Sequence, residues 1–160
     1  VGTTTMLMGY CAKRVVTIDV FERIDLIEDE AQREAYQNAF ELNKHRHDKV
    51  RERLSFQPHV EVLQGRTYDC AGHVSNGSVD TLFIDADHSF DGARKDFEAW
   101  IQKMKPGGFV LFHDAVDGFG VERYCREVVD NDRRVAHYPC WSSDSLKTSI
   151  RVYQTKDQQL

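Results

Sequence analysis

Two short apolar runs that each end in carboxylates constrain the fold of this chain more than any other feature. Val79-Asp-Thr-Leu-Phe-Ile leads into Asp85-Ala-Asp87-His88, and Phe109-Val-Leu-Phe leads into His113-Asp114. Between them, Asp91 to Lys105 has helical periodicity, with Phe97, Trp100, Ile101 and Met104 on one face. Pro106-Gly107-Gly108 is expected to end that helix, because helix C-termini favour glycine and then proline. Strand, helix and strand in this order make a βαβ unit with parallel strands. In an open parallel sheet, ligands bind in the crevice beyond the carboxyl ends of the strands. The pattern therefore gathers Asp85, Asp87, His88, His113 and Asp114 at one rim.

The rest of the chain extends the alternation. Thr3 to Ala12 reads as a short helix with threonines as cap candidates, and Arg14 to Asp19 as a buried strand. Asp25 to Leu54 is helical and highly charged, with apolar Ala35, Phe40, Leu42, Val50 and Leu54 and a break near Asn43 to His47. Pro58 closes it, and His59 to Leu63 is the next strand. Gly65-Arg66-Thr67 opens a loop, followed by a weak helix before Gly72 to Ser78. Val121 to Asp130 is helical, and Val135 to Trp141 and Ser149 to Thr155 form two final strands, a hairpin with a long loop. The expected fold is α/β, a mostly parallel sheet with helices on both faces, in one domain over residues 1–160. No repeat and no low-complexity tract interrupts it.

Composition narrows the function classes. Among 160 residues, 41% are hydrophobic and 29% charged, which suits a globular domain with a real core. A net charge of -5 argues against non-specific nucleic-acid binding, which needs a basic face. Cys11, Cys70, Cys125 and Cys140 are scattered without a CxxC pair, so neither a zinc knuckle nor a disulfide framework is expected. Reduced thiols and a cytoplasmic location are the simplest expectation. No apolar run is long enough to span a bilayer.

The order of these pieces resembles class I S-adenosylmethionine (SAM)-dependent methyltransferases. Leu82-Phe-Ile-Asp-Ala-Asp-His-Ser-Phe, Lys105-Pro-Gly-Gly and Phe112-His-Asp are most similar to methyltransferase family 24, whose relatives include small-molecule O-methyltransferases. The resemblance implies a Rossmann-like sheet, mostly parallel with a C-terminal antiparallel strand. The family begins with a strand that runs into a glycine-rich loop, and Val1-Gly2-Thr3-Thr4-Thr5 resembles the end of that loop. The first strand is therefore expected to be missing and the chain to be incomplete at its N-terminus. Ladder groups left unpaired cost about 1–3 kcal/mol each against about 5–15 kcal/mol for a whole domain, so this chain alone is expected to be molten.

The same resemblance assigns roles. Gly2, Thr3 and Thr4 open a helix whose N–H groups and dipole suit the carboxylate of SAM. Asp19, with Val20 after it, ends a strand where a carboxylate can accept ribose hydroxyls. Phe21 flanks the adenine or belongs to the core. Gly65 and Arg66 follow the third strand of the family, near the adenine; many members carry an acidic residue where this chain has Arg66. Asp85 completes the cofactor-binding set. Asp85 and Asp114 also occupy positions that hold a divalent cation such as Mg²⁺ in metal-dependent relatives, although those usually have Asn where this chain has Ala115.

Read from the residues alone, His88 and His113 beside carboxylates are candidates for a general base, because histidine titrates near neutrality. An interior histidine bonded to backbone is the bland alternative for His113. His45 and His47 are expected to be solvated. Tyr138 and Trp141, near the last strands, are candidate substrate contacts. The combined expectation is methyl transfer from SAM to a small-molecule acceptor, at oxygen, with His88, His113 and Asp114 catalytic. A nicotinamide-dependent oxidoreductase and a non-catalytic scaffold of the same fold are the alternatives. The sequence sets no oligomeric state, a homodimer being one that it allows.

Overall fold

The computed structural model describes residues 2–28, 30–38, 45–139 and 149–157. They group into two compact units, Val1–Cys70 and Ala71–Leu160, each described by itself.

In the first unit, α1 (Thr3–Cys11) leads to β1 (Val15–Asp19). A 3₁₀ turn at Ile24–Leu26, α2 (Glu30–Asn38) and α3 (Arg46–Leu54) precede β2 (Val60–Gln64) and the short α4 (Thr67–Cys70). β1 and β2 pair in parallel, Val15 opposite Val60 through Asp19 opposite Gln64. The unit's core is Phe21, Val50 and Leu54, packed by Met6, Val60 and Val62. α1 is tied down by polar contacts as well as apolar ones. Thr5 and Thr17 share a hydroxyl hydrogen bond of 3.0 Å, and the buried Gln57 amide donates to Met6 O at 3.1 Å. Gly9 leaves room there for the Gln57 amide, which a Cβ would displace.

In the second unit, β3 (Val79–Ile84), α5 (Phe90–Trp100), β4 (Met104–Phe112), α6 (Gly120–Glu127), β5 (Val135–His137) and β6 (Arg151–Thr155) follow in sequence. The sheet order is β3-β4-β6-β5. β3 and β4 are parallel, whereas β6 runs antiparallel to both β4 and β5, as the expected C-terminal hairpin requires. Phe97, Phe112, Tyr124 and Tyr153 are fully buried and meet edge-on or tilted at centroid distances of 5.9–6.3 Å. Burying each such ring contributes about 1.5–3 kcal/mol, so this cluster anchors the sheet to α5 and α6.

One expected boundary moves. α5 ends at Trp100, a 3₁₀ turn covers Ile101–Lys103, and Met104 already begins β4. Pro106-Gly107-Gly108 therefore does not end a helix. It forms an irregularity inside the strand, where pairing shifts from Val79 opposite Met104 to Thr81 opposite Phe109. Proline, which lacks an N–H, is tolerated at such a bulge. Gly107 has φ +77°, and a Cβ on Gly108 would lie 2.9 Å from Asp80 O, so both positions demand glycine. The sequence signal for a break was sound, but Met104 faces the core from a strand rather than from a helix.

Other expectations shift locally. The helical stretch from Asp25 resolves into separate pieces, of which Phe40, Leu42 and Asn43 lie outside the described residues, as does Trp141. His47 is not solvated. Its ring packs on Phe21 at 5.0 Å and its N–H donates to Glu22 Oε2 at 3.2 Å. It sits in the first turn of α3, beside the β1 exit. No helix among the described residues is long and apolar enough to cross a membrane.

Candidate active site

β3 and β4 deliver the cluster. The His113 N–H donates to Ile84 O at 2.9 Å, carrying the parallel ladder to the strand ends. Beyond that bond the two chains release Asp85 and Asp114 side by side. Asp114 adopts φ +52°, a left-handed conformation uncommon for a residue with a side chain. Asp tolerates it better than most, and such outliers concentrate at functional sites.

The loop after Asp85 is fixed from three directions. Asp87 Oδ1 accepts the Ser89 N–H at 2.8 Å, and Ser89 Oγ caps α5 by accepting the Gly92 N–H at 2.9 Å. The Val121 N–H donates to His88 O at 3.2 Å. α6 packs so tightly there that a Cβ on Gly120 would collide with the Phe90 and Ser89 backbone. The Phe119 ring stands edge-on to His88 at 5.6 Å.

Four side chains converge. His113 Nδ1 lies 3.1 Å from both Asp85 Oδ1 and Asp114 Oδ2. His88 Nε2 lies 3.2 Å from Asp114 Oδ2 and 3.9 Å from Asp85 Oδ1. Roughly a third of each histidine side chain remains exposed, yet His113 Nδ1 is itself buried and forms no well-directed hydrogen bond. The carboxylate of Asp85 holds His88 above the usual imidazole range against partial burial, and Asp114 and Asp87 add negative charge. In return, His88 first and then His113 hold Asp85 below the usual carboxylate range. Asp87, placed at the same rim by the sequence, spends one oxygen on the loop. Ala115 is buried in the core and offers no donor.

The first unit carries the residues expected to bind a nucleotide. Gly2 precedes α1 with φ +70°; no side chain caps this helix and its first turn holds no acidic residue. The N–H groups of Thr3, Thr4 and Thr5 thus lack intrahelical acceptors, as at any helix start. Asp19 ends β1, with Val20 leading into the turn. Asp19 Oδ1 accepts the Phe21 N–H at 2.8 Å, and Oδ2 faces the Arg46 guanidinium at 3.3 Å. Each oxygen keeps a lone pair for a further donor. Phe21 is only 2% exposed, so it belongs to the core and does not flank a ligand. Gly65 donates its N–H to Asp19 O at 3.0 Å. Arg66 donates to Leu26 O at 2.8 Å and pairs with Glu28 at 3.3 Å, bracing the 24–28 turn. Tyr138 is exposed and stands edge-on to Phe109 at 5.3 Å.

Sequence reasoning missed Arg46, Ser89 and Gly120. Only Ser89 carried a signal, a cap residue directly before a helical pattern. Arg46 and Gly120 matter through partners distant in sequence.

The family comparison decides the class. A family model described as a methyltransferase domain, that of methyltransferase family 24, matches residues 1–115. The chain belongs to this family. The chain is 41% identical over 58 residues to "Uncharacterized protein y4gI" of Sinorhizobium fredii, a match covering 34% of this chain and 6% of that protein. Among solved structures, an O-methyltransferase from Bacillus cereus in complex with SAH aligns with TM-score 0.58 and 15% identity. The alignment covers 96% of this chain and 77% of that one. An rRNA methylase from Streptococcus thermophilus aligns with TM-score 0.58 and 14% identity, over 97% of this chain and 81% of that one. These likenesses show that the chain shares the Rossmann-like fold of those structures.

Proposed function

We propose that the chain transfers a methyl group from SAM to an oxygen of a small-molecule acceptor. The observation that carries this reading is the convergence of His88, His113, Asp85 and Asp114 at the ends of β3 and β4. The Bacillus cereus neighbour, in complex with SAH, supports the donor.

The uncapped N-terminus of α1, from Gly2 to Thr4, takes the methionine carboxylate of SAM, where an anion gains from the helix dipole. Asp19 accepts the ribose hydroxyls with the lone pairs left by Phe21 and Arg46. Val20 and Gly65 shape the adjoining backbone, and Arg66 acts through the 24–28 turn.

The sulfonium methyl is already activated, so the protein chiefly aligns acceptor oxygen, methyl carbon and sulfur. An acceptor hydroxyl must also lose its proton. His88 takes it; with Nε2 turned to Asp114, Nδ1 is the nitrogen that remains to accept. The orphaned His113 Nδ1 and the carboxylates of Asp85 and Asp114 also fit a divalent cation, their donor atoms all lying within 4.8 Å of one another. Such an ion would lower the pKa of a bound hydroxyl.

The test is calorimetric titration of the chain with SAH, followed by transfer of labelled methyl from SAM to a panel of small hydroxylated and aminated molecules. Binding with transfer to hydroxyls supports the reading. Binding with transfer only to amines overturns the oxygen assignment, and absence of SAH binding overturns the donor.

A further inference from the structure

The exit of β1 and the start of α3 depart from ordinary local geometry at three points around one carboxylate. Phe21 adopts φ +51° and His45, just before α3, adopts φ +58°, both left-handed and neither a glycine. Arg46 Nε is buried and has no hydrogen-bond partner among the described residues. Each departure costs free energy, and such outliers concentrate where a group must be held for a ligand.

The departures share one consequence. The turn at Phe21 aims its N–H at Asp19 Oδ1, 2.8 Å away. The turn at His45 starts α3 so that Arg46 Nη2 lies 3.3 Å from Asp19 Oδ2. Glu22 Oε2 accepts the His47 N–H, and the His47 ring packs on Phe21, which ties the two segments together. Arginine can close a two-bond fork on a carboxylate. Here the Phe21 N–H already takes Oδ1, so Nη2 alone makes contact and Nε is the orphan. Asp19 is thus braced by one partner on each oxygen, with a lone pair left on each. It keeps 29% of its side chain exposed, so a ligand can reach those lone pairs. Two acceptors side by side in a fixed plane fit two hydroxyls on adjacent carbons, whereas a single hydroxyl leaves one acceptor idle.

We infer that Arg46 is a positioning residue that makes the Asp19 carboxylate selective for a vicinal diol, so that the site demands both ribose hydroxyls of its ligand. The inference rests on the methyl-transfer reading, in which Asp19 accepts the ribose, and adds to it what Arg46 does.

The test titrates the full chain in a calorimeter with SAH and with its 2′-deoxy and 3′-deoxy forms. Wild type, Arg46→Met, Arg46→Gln and Arg46→Lys are compared, with circular dichroism as the check on folding. The wild type should hold SAH at least about tenfold more tightly than either deoxy form. In Arg46→Met and Arg46→Gln that preference should fall below about threefold. Arg46→Lys should restore it, because a single charged contact is all that Asp19 takes from Arg46. An arginine with a merely structural role would lower the melting temperature and leave the preference unchanged, and that result overturns the inference. So does a wild type that holds the deoxy forms as tightly as SAH, or a folded Arg46→Lys that loses the preference. The wild-type ratio and Arg46→Lys decide the matter even if both neutral variants misfold. SAH bound with no preference, or with one indifferent to Arg46, sinks the inference alone. The expected preference without methyl transfer to any acceptor sinks methyl transfer alone, and absence of SAH binding sinks both.

Discussion

His113 Nδ1 stands 3.1 Å from Asp85 Oδ1, and the two residues end neighbouring parallel strands joined by the hydrogen bond from His113 N–H to Ile84 O. The ladder itself therefore sets the side-chain contact. A change in strand register of a single residue would turn one of the two side chains to the opposite face of the sheet.

Electrostatics in this cluster give a measurable titration. In the metal-free chain, His88 should titrate above 6.5, and Asp85→Asn should bring it down, because Asp85 is the first cause of the rise. Histidine proton resonances followed against pH would report both. The stability contribution of His88 is fully present below pH 6.5 and fades as pH rises through its raised folded value. That of Asp85 is present above 3.8 and fades as pH falls through its lowered value. The pairing should thus stabilise the second unit most between about pH 4 and 6.5. An unperturbed His88 would remove it from the cluster.

Asp19→Ala should weaken SAH binding. Two hydrogen bonds from ribose hydroxyls to a carboxylate contribute about 1.5–3 kcal/mol each, so a loss of at least about tenfold is expected. Calorimetry on wild type and variant, with circular dichroism to check folding, decides the point. Equal affinities would leave Asp19 as a purely structural partner of Phe21 and Arg46.

Arg66→Ala should act on stability rather than on affinity. Its guanidinium is engaged with Leu26 O and Glu28, and removing it costs about 1–2 kcal/mol in denaturant unfolding. SAH affinity should change less than about threefold, or about 0.6 kcal/mol. A tenfold loss would mean that Arg66 touches the cofactor directly.

Gly120→Ala should overpack the junction between α6 and the His88 loop. The clash is with backbone atoms of Phe90 and Ser89, which cannot rotate away. A destabilisation of about 1–3 kcal/mol is expected, together with a changed His88 titration, because His88 O loses its anchor at Val121. Wild-type melting and a wild-type His88 titration in the variant would show that α6 does not position the cluster.

Much was legible in the sequence because local chemistry decided it. Apolar runs and a period-3.6 pattern indicated strands at Val79 to Asp85 and Ser149 to Thr155, close to the observed Val79–Ile84 and Arg151–Thr155, and the helix that carries Phe97 and Trp100, and carboxylates at two strand ends marked the rim. The family motifs in Leu82 to Phe90 and Lys105 to Gly108 pointed to the methyltransferase class that the family comparison shows. What the sequence misplaced or missed depended on partners far along the chain. Pro106-Gly107-Gly108 reads as a helix stop from local propensity, but β3 captures it as a bulge because Gly108 alone can approach Asp80 O so closely. His47 reads as solvated from its charged neighbours, but Phe21 and Glu22 claim it. The burial of His113 Nδ1 between two carboxylates is a matter of strand register and of the left-handed turn at Asp114. The sequence determined which groups could do chemistry; only tertiary packing decided which of their atoms meet, since distances of a few ångströms are fixed by contacts between residues that no local pattern links.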